Sequence, residues 1–287
     1  MTNKDILKIA LKQSAIDEQC APEDFMKTSN VIVESRFSPH ARKYLELPFV
    51  CNLVSYGNNI VASIDMKYKE IIENYINKYE AFRCFETPQM NELNEAFKAF
   101  NMEVCFMAEY FLPDLTTMQK CSCDYETRIL EALDFKDLYN PINQTRTFRK
   151  CKKGTTDLRK LVMDASICGQ PCSPWANALC EKRKELDILG VGAYHHNTLI
   201  GLAACSADCE DMWQIGVDVL PEMRRKGIAS TLTSNLAFEI LKREKVPFYC
   251  CAWSNIKSAR TAIKSGFRPT WIEMTVKSKE FVDGLKG

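Results

Sequence analysis

Residues 219–229 read V-L-P-E-M-R-R-K-G-I-A, with three consecutive cations directly before a glycine. An apolar run, 212–220, leads into this stretch, and 230–242 is rich in helix formers. Apolar runs of this length, bounded by turn residues, are typical of buried strands. The stretch therefore predicts a strand that turns tightly into a helix over residues 225–243.

Such a turn favours anion binding, because the first backbone N–H groups of a helix have no partner within the helix. These donors and the positive end of the helix dipole attract phosphate. Gly227 lets a phosphate approach the backbone closely, Ala229 keeps a second position small, and arginine can bind phosphate through two hydrogen bonds. A solvated basic helix start remains the alternative. The sequence contains neither G-x-x-x-x-G-K-[ST] nor a G-x-G-x-x-G after a strand, so neither nucleotide-binding motif is supported.

Composition indicates a soluble globular protein whose ligand sites are local. The 287 residues are 46% hydrophobic and 26% charged, with a net charge of +1. A chain of this length favours two modest domains. The nearly neutral net charge argues against a nucleic-acid partner, because such a partner would require a basic face. No apolar segment reaches the roughly 20 residues of a membrane span, so we expect no membrane association.

Cysteine usage predicts a cytoplasmic location and no metal site. The 14 cysteines lack an accompanying export signal, as expected of a reducing cytosol. Cys168, Cys172, Cys205 and Cys209 have C-x-x-x-C spacing, which differs from the usual zinc motif. We therefore interpret them as small buried hydrophobes. The pair His195-His196 falls in a predicted turn, where exposure is expected more often than catalysis.

The N-terminal part, residues 1–120, reads as a smaller α/β domain without a catalytic motif. A degenerate relative of the C-terminal part is one interpretation of it, and its expected role is to wall the acceptor cleft and set specificity. Its predicted elements are helices at 4–17, 66–79 and 92–100, a hairpin of 49–55 with 60–64, and strands at 30–37 and 103–111.

The remaining part, residues 125–287, carries an insertion at about 141–175 that is locally basic. This insertion is either solvated or able to attract an acidic ligand. The other predicted elements are strands at 125–130, 189–194, 199–206, 212–220, 247–252 and 270–276, and helices at 132–139, 158–165, 177–186, 225–243 and 258–265.

Two motifs in this part resemble those of the GNAT superfamily of acyl-CoA-dependent N-acetyltransferases. The family's phosphate loop, [QR]-x-x-G-x-[GA] preceded by V-x-P, is matched by V-L-P at 219–221 and R-R-K-G-I-A at 224–229. A second signature, N-x-x-[AS] ending in G-F, is matched by N-I-K-S at 255–258 and by 266–267. The resemblance covers about residues 125–280.

The resemblance implies an α/β (α+β) fold with a mixed, mostly antiparallel sheet and helices on both faces. It also implies that strand 212–220 splays from strand 247–252 and that acetyl-CoA lies in the splay. The residues implied in binding acetyl-CoA are Val217, Asp218, Val219, Arg224, Arg225, Lys226, Gly227, Ile228, Ala229, Ser230, Asn255 and Ser258.

Catalytic residues are not found where the family usually has them. The positions of its tyrosine acid and of two alternative glutamates are Ala262, Cys250 and Trp213 here. The candidates for a base are Asp218, Glu210, Asp211, Tyr249 or the 141–175 segment. Asp218 alternates with the valines on either side, so it should face away from the side that they share. A second possibility is that catalysis rests on positioning of the two substrates, with water carrying the proton. A third is that the site binds CoA without turnover.

The resulting prediction is an N-acetyltransferase that moves an acetyl group from acetyl-CoA to a primary amine in a ternary complex. The amine belongs either to a small molecule or to a protein, and the sequence does not select between them. The alternative is a non-catalytic CoA-binding or partner-binding module of the same fold. The oligomeric state is not predicted.

Overall fold

A computed structural model describes residues 1–139 and 173–285. The α-helices are α1 (Asn3–Glu18), α2 (Lys69–Lys78), α3 (Thr87–Lys98), α4 (Ile228–Leu241), α5 (Ile256–Lys264) and α6 (Lys279–Leu285). The strands are β1 (Val31–Glu34), β2 (Cys51–Ser55), β3 (Val61–Ile64), β4 (Met102–Pro113), β5 (Glu126–Glu131), β6 (Asp187–His195), β7 (Thr198–Ser206), β8 (Met212–Val219), β9 (Val246–Ala252) and β10 (Phe267–Ser278). The predicted helix 158–165 and most of the predicted insertion lie outside the described residues.

All ten strands form one sheet, in the order β1-β3-β2-β10-β4-β9-β8-β7-β6-β5. Only β1 with β3 and β8 with β9 pair in parallel among the described strands. The prediction of a mixed, mostly antiparallel sheet is therefore confirmed. Strand β4, from the N-terminal part, lies between β9 and β10 of the C-terminal part. The division into domains at 1–120 and 125–287 stays a prediction, and both parts contribute to this common sheet.

Helices cover both faces of the sheet, as predicted. Side chains alternate between the faces of a strand, and β8 shows both environments. Met212 packs in the apolar cluster of α1, whereas Ile215, on the opposite face, packs in the cluster of α4. Helix α4 lies close to the sheet at Gly201 on β7, where an added Cβ would be 2.8 Å from the Ile228 side chain. This glycine lets the start of α4 approach the strands tightly.

A buried ion network joins the two parts beneath α1. Arg42 lies in the loop before β2, and its guanidinium binds Asp17 of α1 at 2.5 Å and Glu273 of β10 at 2.7 Å. The Arg42 guanidinium also donates to the Tyr44 hydroxyl at 2.6 Å, and Trp271 donates to Glu273 at 2.8 Å. Both carboxylates are buried together with their cation. Removing Arg42 alone would therefore leave two buried charges uncompensated.

The predicted helix 177–186 is wrong. The structure has a single 3-10 turn, Glu181–Arg183, in this region. Tertiary contacts hold this segment instead: Asp218 of β8 accepts from the N–H groups of residues 177 and 178, and Asp187 of β6 accepts from that of Cys180. Contacts of this kind override a weak local helix propensity. The predicted helix 132–139 is likewise only a 3-10 turn, Ala132–Phe135.

Candidate active site

The loop before α4 presents unpaired backbone donors. Gly227 is the N-cap of α4, with φ of 80°, and Arg225 also has a positive φ, of 65°. These left-handed residues turn the chain sharply after β8, so the helix begins at Ile228 and not at residue 225 as predicted. Within the described part of the chain, no acceptor engages the backbone N–H groups of residues 225–230. Donors of this kind at a helix start form an anion-binding site.

The three cations of the loop have different surroundings. The Arg224 side chain folds back and donates to the Val219 carbonyl at 3.1 Å, at the end of β8. Lys226 donates to the Tyr125 hydroxyl at 3.2 Å. Arg225 is exposed, and no side-chain hydrogen bond or ion pair involves it within the described residues. The side chain of Arg225 is therefore the one of the three that is free to reach a ligand.

Strands β8 and β9 separate beside this loop. Their parallel pairing runs from Met212 with Val246 to Ile215 with Tyr249 and ends there. On its other edge β8 stays paired with β7 as far as Val219. Residues 216–219 therefore keep an edge that has no strand partner among the described residues and that faces the gap toward β9. A gap between strands with free backbone groups on one wall suits an extended ligand with amide groups.

Helix α5 closes the far side of this gap. Asn255 is its N-cap, and its side-chain oxygen accepts from the Ser258 backbone N–H at 3.2 Å. This contact gives Asn255 a structural role at the start of α5. The Ser258 hydroxyl lies 2.8 Å from the Tyr249 hydroxyl, at the point where β8 and β9 separate. Tyr249 thus lies at the closed end of the gap. Asp218 binds residues 177 and 178, and Glu210 and Asp211 precede β8.

Asp218 fixes a segment, residues 173–178, across the face of β8 opposite α4. Its carboxylate accepts from the backbone N–H groups of Asn177 and Ala178, each at 2.9 Å, and from the Asn177 side chain at 2.6 Å. Burial raises the pKa of Asp218, and these hydrogen bonds oppose that shift. Since the carboxylate oxygens are occupied, the geometry favours an anchoring role for Asp218, and its catalytic role stays a prediction.

Glu210 and Asp211 precede β8, at the end away from the gap. At about 3.3 Å per residue, Asp211 is roughly 16 Å along the strand from Gly216. Asp211 pairs there with Lys245 at 3.3 Å. Both acidic residues instead line a separate cleft of about 480 Å³ beside α1. The structure does not bring these two candidates to the gap.

None of the family's usual acid and base positions has a titratable oxygen here, and Trp213 lines the cleft beside α1 with Glu210 and Asp211. Trp213 is partly buried on β8, and Ala262 is fully buried on α5. Cys250, the third position, accepts from the Gln214 side chain at 2.9 Å. Burial raises the pKa of the Cys250 thiol to about 12, so the thiol is protonated near neutral pH and is a poor nucleophile.

Two elements of the site were missed from the sequence. Tyr125 holds Lys226 of the loop, and the Ser122 carbonyl is the nearest atom, at 4.0 Å, to a Cβ added at Gly227. The anchor of Asp218 is the second element. Each contact joins residues at least 40 positions apart, and no local pattern marks such pairs.

Residues 1–139 and 173–285 contain neither a cluster of metal ligands nor a membrane-spanning helix. No group of three or more metal-ligating side chains converges there. No helix in those ranges has the length and apolar character needed to cross a bilayer.

The fold and the gap define a class of protein: a mixed sheet with two splayed strands, beside which a helix begins with unpaired backbone donors in the described part of the chain. Residues 53–271 match the family model of the GNAT acetyltransferases, and this match spans more than half of the chain. The chain therefore belongs to the GNAT acetyltransferase family. No curated protein matches the sequence.

Solved structures of similar proteins are distant from this chain. A putative GNAT acetyltransferase from Novosphingobium aromaticivorans is 15% identical, with 61% of this chain and 66% of that one covered and a TM-score of 0.37. A GNAT acetyltransferase from Colwellia psychrerythraea is also 15% identical, with 67% and 63% covered and a TM-score of 0.38. The match thus spans slightly less than two thirds of these two chains. A putative acetyltransferase from Salmonella typhimurium, solved with its cofactor acetyl-CoA, is 16% identical, with 54% and 93% covered and a TM-score of 0.32.

Proposed function

We propose that this protein transfers an acetyl group from acetyl-CoA to a primary amine by direct attack in a ternary complex. The observation that carries the proposal is the junction of β8 with α4. There, an unpaired strand edge at 216–219 leads directly to the unpaired N–H groups of 225–230. One wall can therefore bind an amide-containing arm and then a diphosphate, the two parts of CoA that lie next to each other.

Backbone donors would do most of the binding. The N–H groups of residues 225–230 would hold the diphosphate, with Arg225 free to add a charge-assisted hydrogen bond. The open edge of β8, at Val217 and Val219, would pair with the pantetheine arm. A backbone N–H of this edge would polarise the thioester carbonyl, as donors in an oxyanion hole do.

The acceptor must lose its proton before it attacks. A lysine-like ammonium has a pKa of about 10.4, so its neutral form costs about 4.6 kcal/mol at pH 7. Of the carboxylates predicted as a base, Asp218 is occupied by its anchor, and Glu210 and Asp211 line the cleft beside α1. We therefore propose that water removes this first proton and that the site contributes mainly by positioning.

The N-terminal part would shape the acceptor side. Strand β4 pairs with β9 through Ala108 to Phe111, next to the residues of β9 that leave β8. The N-terminal part thus holds β9, which forms the outer wall of the gap, in place. We propose that it sets the choice between a small-molecule amine and a protein amine, in a protein that acts in the cytoplasm.

Calorimetry with acetyl-CoA and a thiol-release assay with a panel of amines test the proposal. Gly227→Glu adds a negative charge at the diphosphate position, so we expect acetyl-CoA affinity to fall at least about tenfold, or about 1.4 kcal/mol. Gly57→Glu is the matched control, because Gly57 also has a positive φ and open space around it. Equal affinity in both variants would contradict the proposed binding site.

A non-catalytic CoA-binding module is the second candidate. The absence of an acid or base at Trp213 and Ala262, together with the anchored Asp218, favours it. Binding of acetyl-CoA without release of thiol, across the whole panel of amines, would identify the module. Release above background with any amine would identify the enzyme.

A further inference from the structure

The cleft beside α1 lies between that helix and the loop that leads into β8. On α1 it is lined by Ile9, Gln13 and Ile16, which the helical repeat of three to four residues places on one face. On the other side it is lined by Glu210 and Trp213. Its volume of about 480 Å³ falls within the range of small-molecule sites. The cleft can therefore enclose a ligand of the size of an amino acid.

Gln13 supplies a fixed polar group to this cleft. Its side chain is 7% exposed, and its Nε2 donates to the Asp17 carboxylate and to the His40 carbonyl, each at 3.0 Å. These two bonds fix the orientation of the amide. Within residues 1–139 and 173–285, no donor engages the Gln13 Oε1. A buried amide oxygen without a donor is unfavourable, so this position suits an N–H group of a ligand.

Charges of opposite sign line the same cleft. Lys12 of α1 and Glu210 form no ion pair and no side-chain hydrogen bond in the part of the chain that the structure describes. The neighbouring charges are engaged, since Asp211 pairs with Lys245 at 3.3 Å and the Lys43 ammonium donates to a backbone carbonyl. Among the described residues, the cleft thus offers a free cation and a free anion.

These charges favour a dipolar ligand. A phosphate group would meet the carboxylates of Glu210 and Asp211, and a plain cation would meet the Lys12 ammonium, and like charges repel each other. A ligand that carries both an ammonium group and a carboxylate satisfies both walls. The partly buried side chains of Ile9 and Ile16 make the rest of the cleft apolar on the α1 side, so the remainder of the ligand should be apolar as well.

We propose that this cleft binds a free α-amino acid with an apolar side chain. Its ammonium group donates to the Gln13 Oε1 and pairs with Glu210, and its carboxylate pairs with Lys12. Its side chain packs against Ile9 and Ile16. The inference goes beyond the proposed function, because the cleft lies at the end of β8 away from the gap. The bound amino acid is therefore a second ligand and not the acceptor.

Calorimetry of the full chain with L-leucine and two analogues tests the site. Isoamylamine is leucine without its carboxylate, and isocaproate is leucine without its ammonium group. Each missing group removes a charge-assisted contact, so we expect leucine to bind at least about tenfold more tightly than either analogue. No binding of leucine, methionine or phenylalanine would overturn the inference, as would an affinity for leucine equal to that for either analogue.

Two variants test whether leucine lies in the cleft. Glu210→Gln should lower the affinity for leucine about tenfold without lowering that for isocaproate. Lys12→Met should lower the affinity for leucine about tenfold without lowering that for isoamylamine. Both side chains are exposed, so we expect both variants to fold. Lys8→Met and Glu70→Gln, at exposed positions outside the cleft, are the matched controls and should bind leucine as the native protein does.

Gly227→Glu separates this inference from the proposed function. Leucine binding that is weakened in the two cleft variants and kept in Gly227→Glu supports the inference, whatever the affinity for acetyl-CoA. Leucine affinity that is unchanged in both cleft variants would place leucine elsewhere in the protein and would overturn the inference while leaving the proposed function intact.

Discussion

The anchored segment over β8 gives a sharp prediction at Gly216. A Cβ at this position would lie 1.9 Å from the Asn177 carbonyl oxygen and 2.8 Å from its carbonyl carbon. Ordinary contact begins at 3.4 Å, so the oxygen must retreat by the difference, 1.5 Å. The obstacle is backbone, which cannot rotate away as a flexible side chain would. Gly216→Ala therefore forces residues 177 and 178 off the strand.

The displacement breaks hydrogen bonds to a half-buried carboxylate. The three bonds to Asp218 measure 2.6 to 2.9 Å, and a shift of 1.5 Å takes at least one of them beyond bonding distance. A hydrogen bond to a charged group contributes about 1.5 to 3 kcal/mol. We expect Gly216→Ala to lower the free energy of unfolding by about 3 kcal/mol, which corresponds to roughly 6 to 12 °C in Tm.

Urea denaturation followed by circular dichroism measures the effect. Gly284→Ala in α6 is the matched control, because no heavy atom lies within 4 Å of its added Cβ. There we expect no loss, and a gain of up to about 0.8 kcal/mol from helix propensity. A Gly216→Ala protein within about 0.5 kcal/mol of the native protein would refute the reasoning, since the segment could then not be packed against β8.

Two further predictions concern the buried charges under α1. Arg42→Met leaves Asp17 and Glu273 without their cation, so we expect a loss of about 3 to 5 kcal/mol. The control Arg36→Met removes the exposed ion pair with Glu34 and should lower the free energy of unfolding by under about 1 kcal/mol. Equal losses for Arg42→Met and Arg36→Met in urea denaturation would contradict this prediction. Burial, with Glu273 and Asp17 nearby, raises the pKa of Glu18 well above its usual 4.5. The folded state then holds a proton that the unfolded state releases, so stability falls as pH rises above about 4.5. Glu18→Gln should keep the hydrogen bond with Asn52. The variant should become progressively more stable than the native protein from pH 5 to 8. If the unfolding free energies of the two proteins instead change in parallel with pH, Glu18 does not retain a proton in the folded state.

Local sequence patterns predicted most of the elements around the site. The hairpin of β6 with β7, the strand β8 and the helix α5 follow from apolar runs separated by turn residues. The glycine at 227 and the cations before it indicated the tight turn into α4, because only glycine adopts its left-handed conformation at no steric cost. The predicted start of α4, at residue 225, was too early. Arg225 itself adopts a positive φ, and an arginine side chain does not indicate that conformation.

The sequence by itself determined the order of the strands, the tight turn at Gly227 and the absence of the usual catalytic side chains, whereas the helices predicted at 132–139 and 177–186 were wrong. Each depends on residues close together in the chain. Only the tertiary structure decided that β4 lies between β9 and β10, that Asp218 anchors Asn177, and that Tyr249 meets Ser258 at the closed end of the gap. The physical reason is that backbone pairing and buried hydrogen bonds are satisfied by whichever partner the fold brings near, and that partner leaves no periodic signal in the chain.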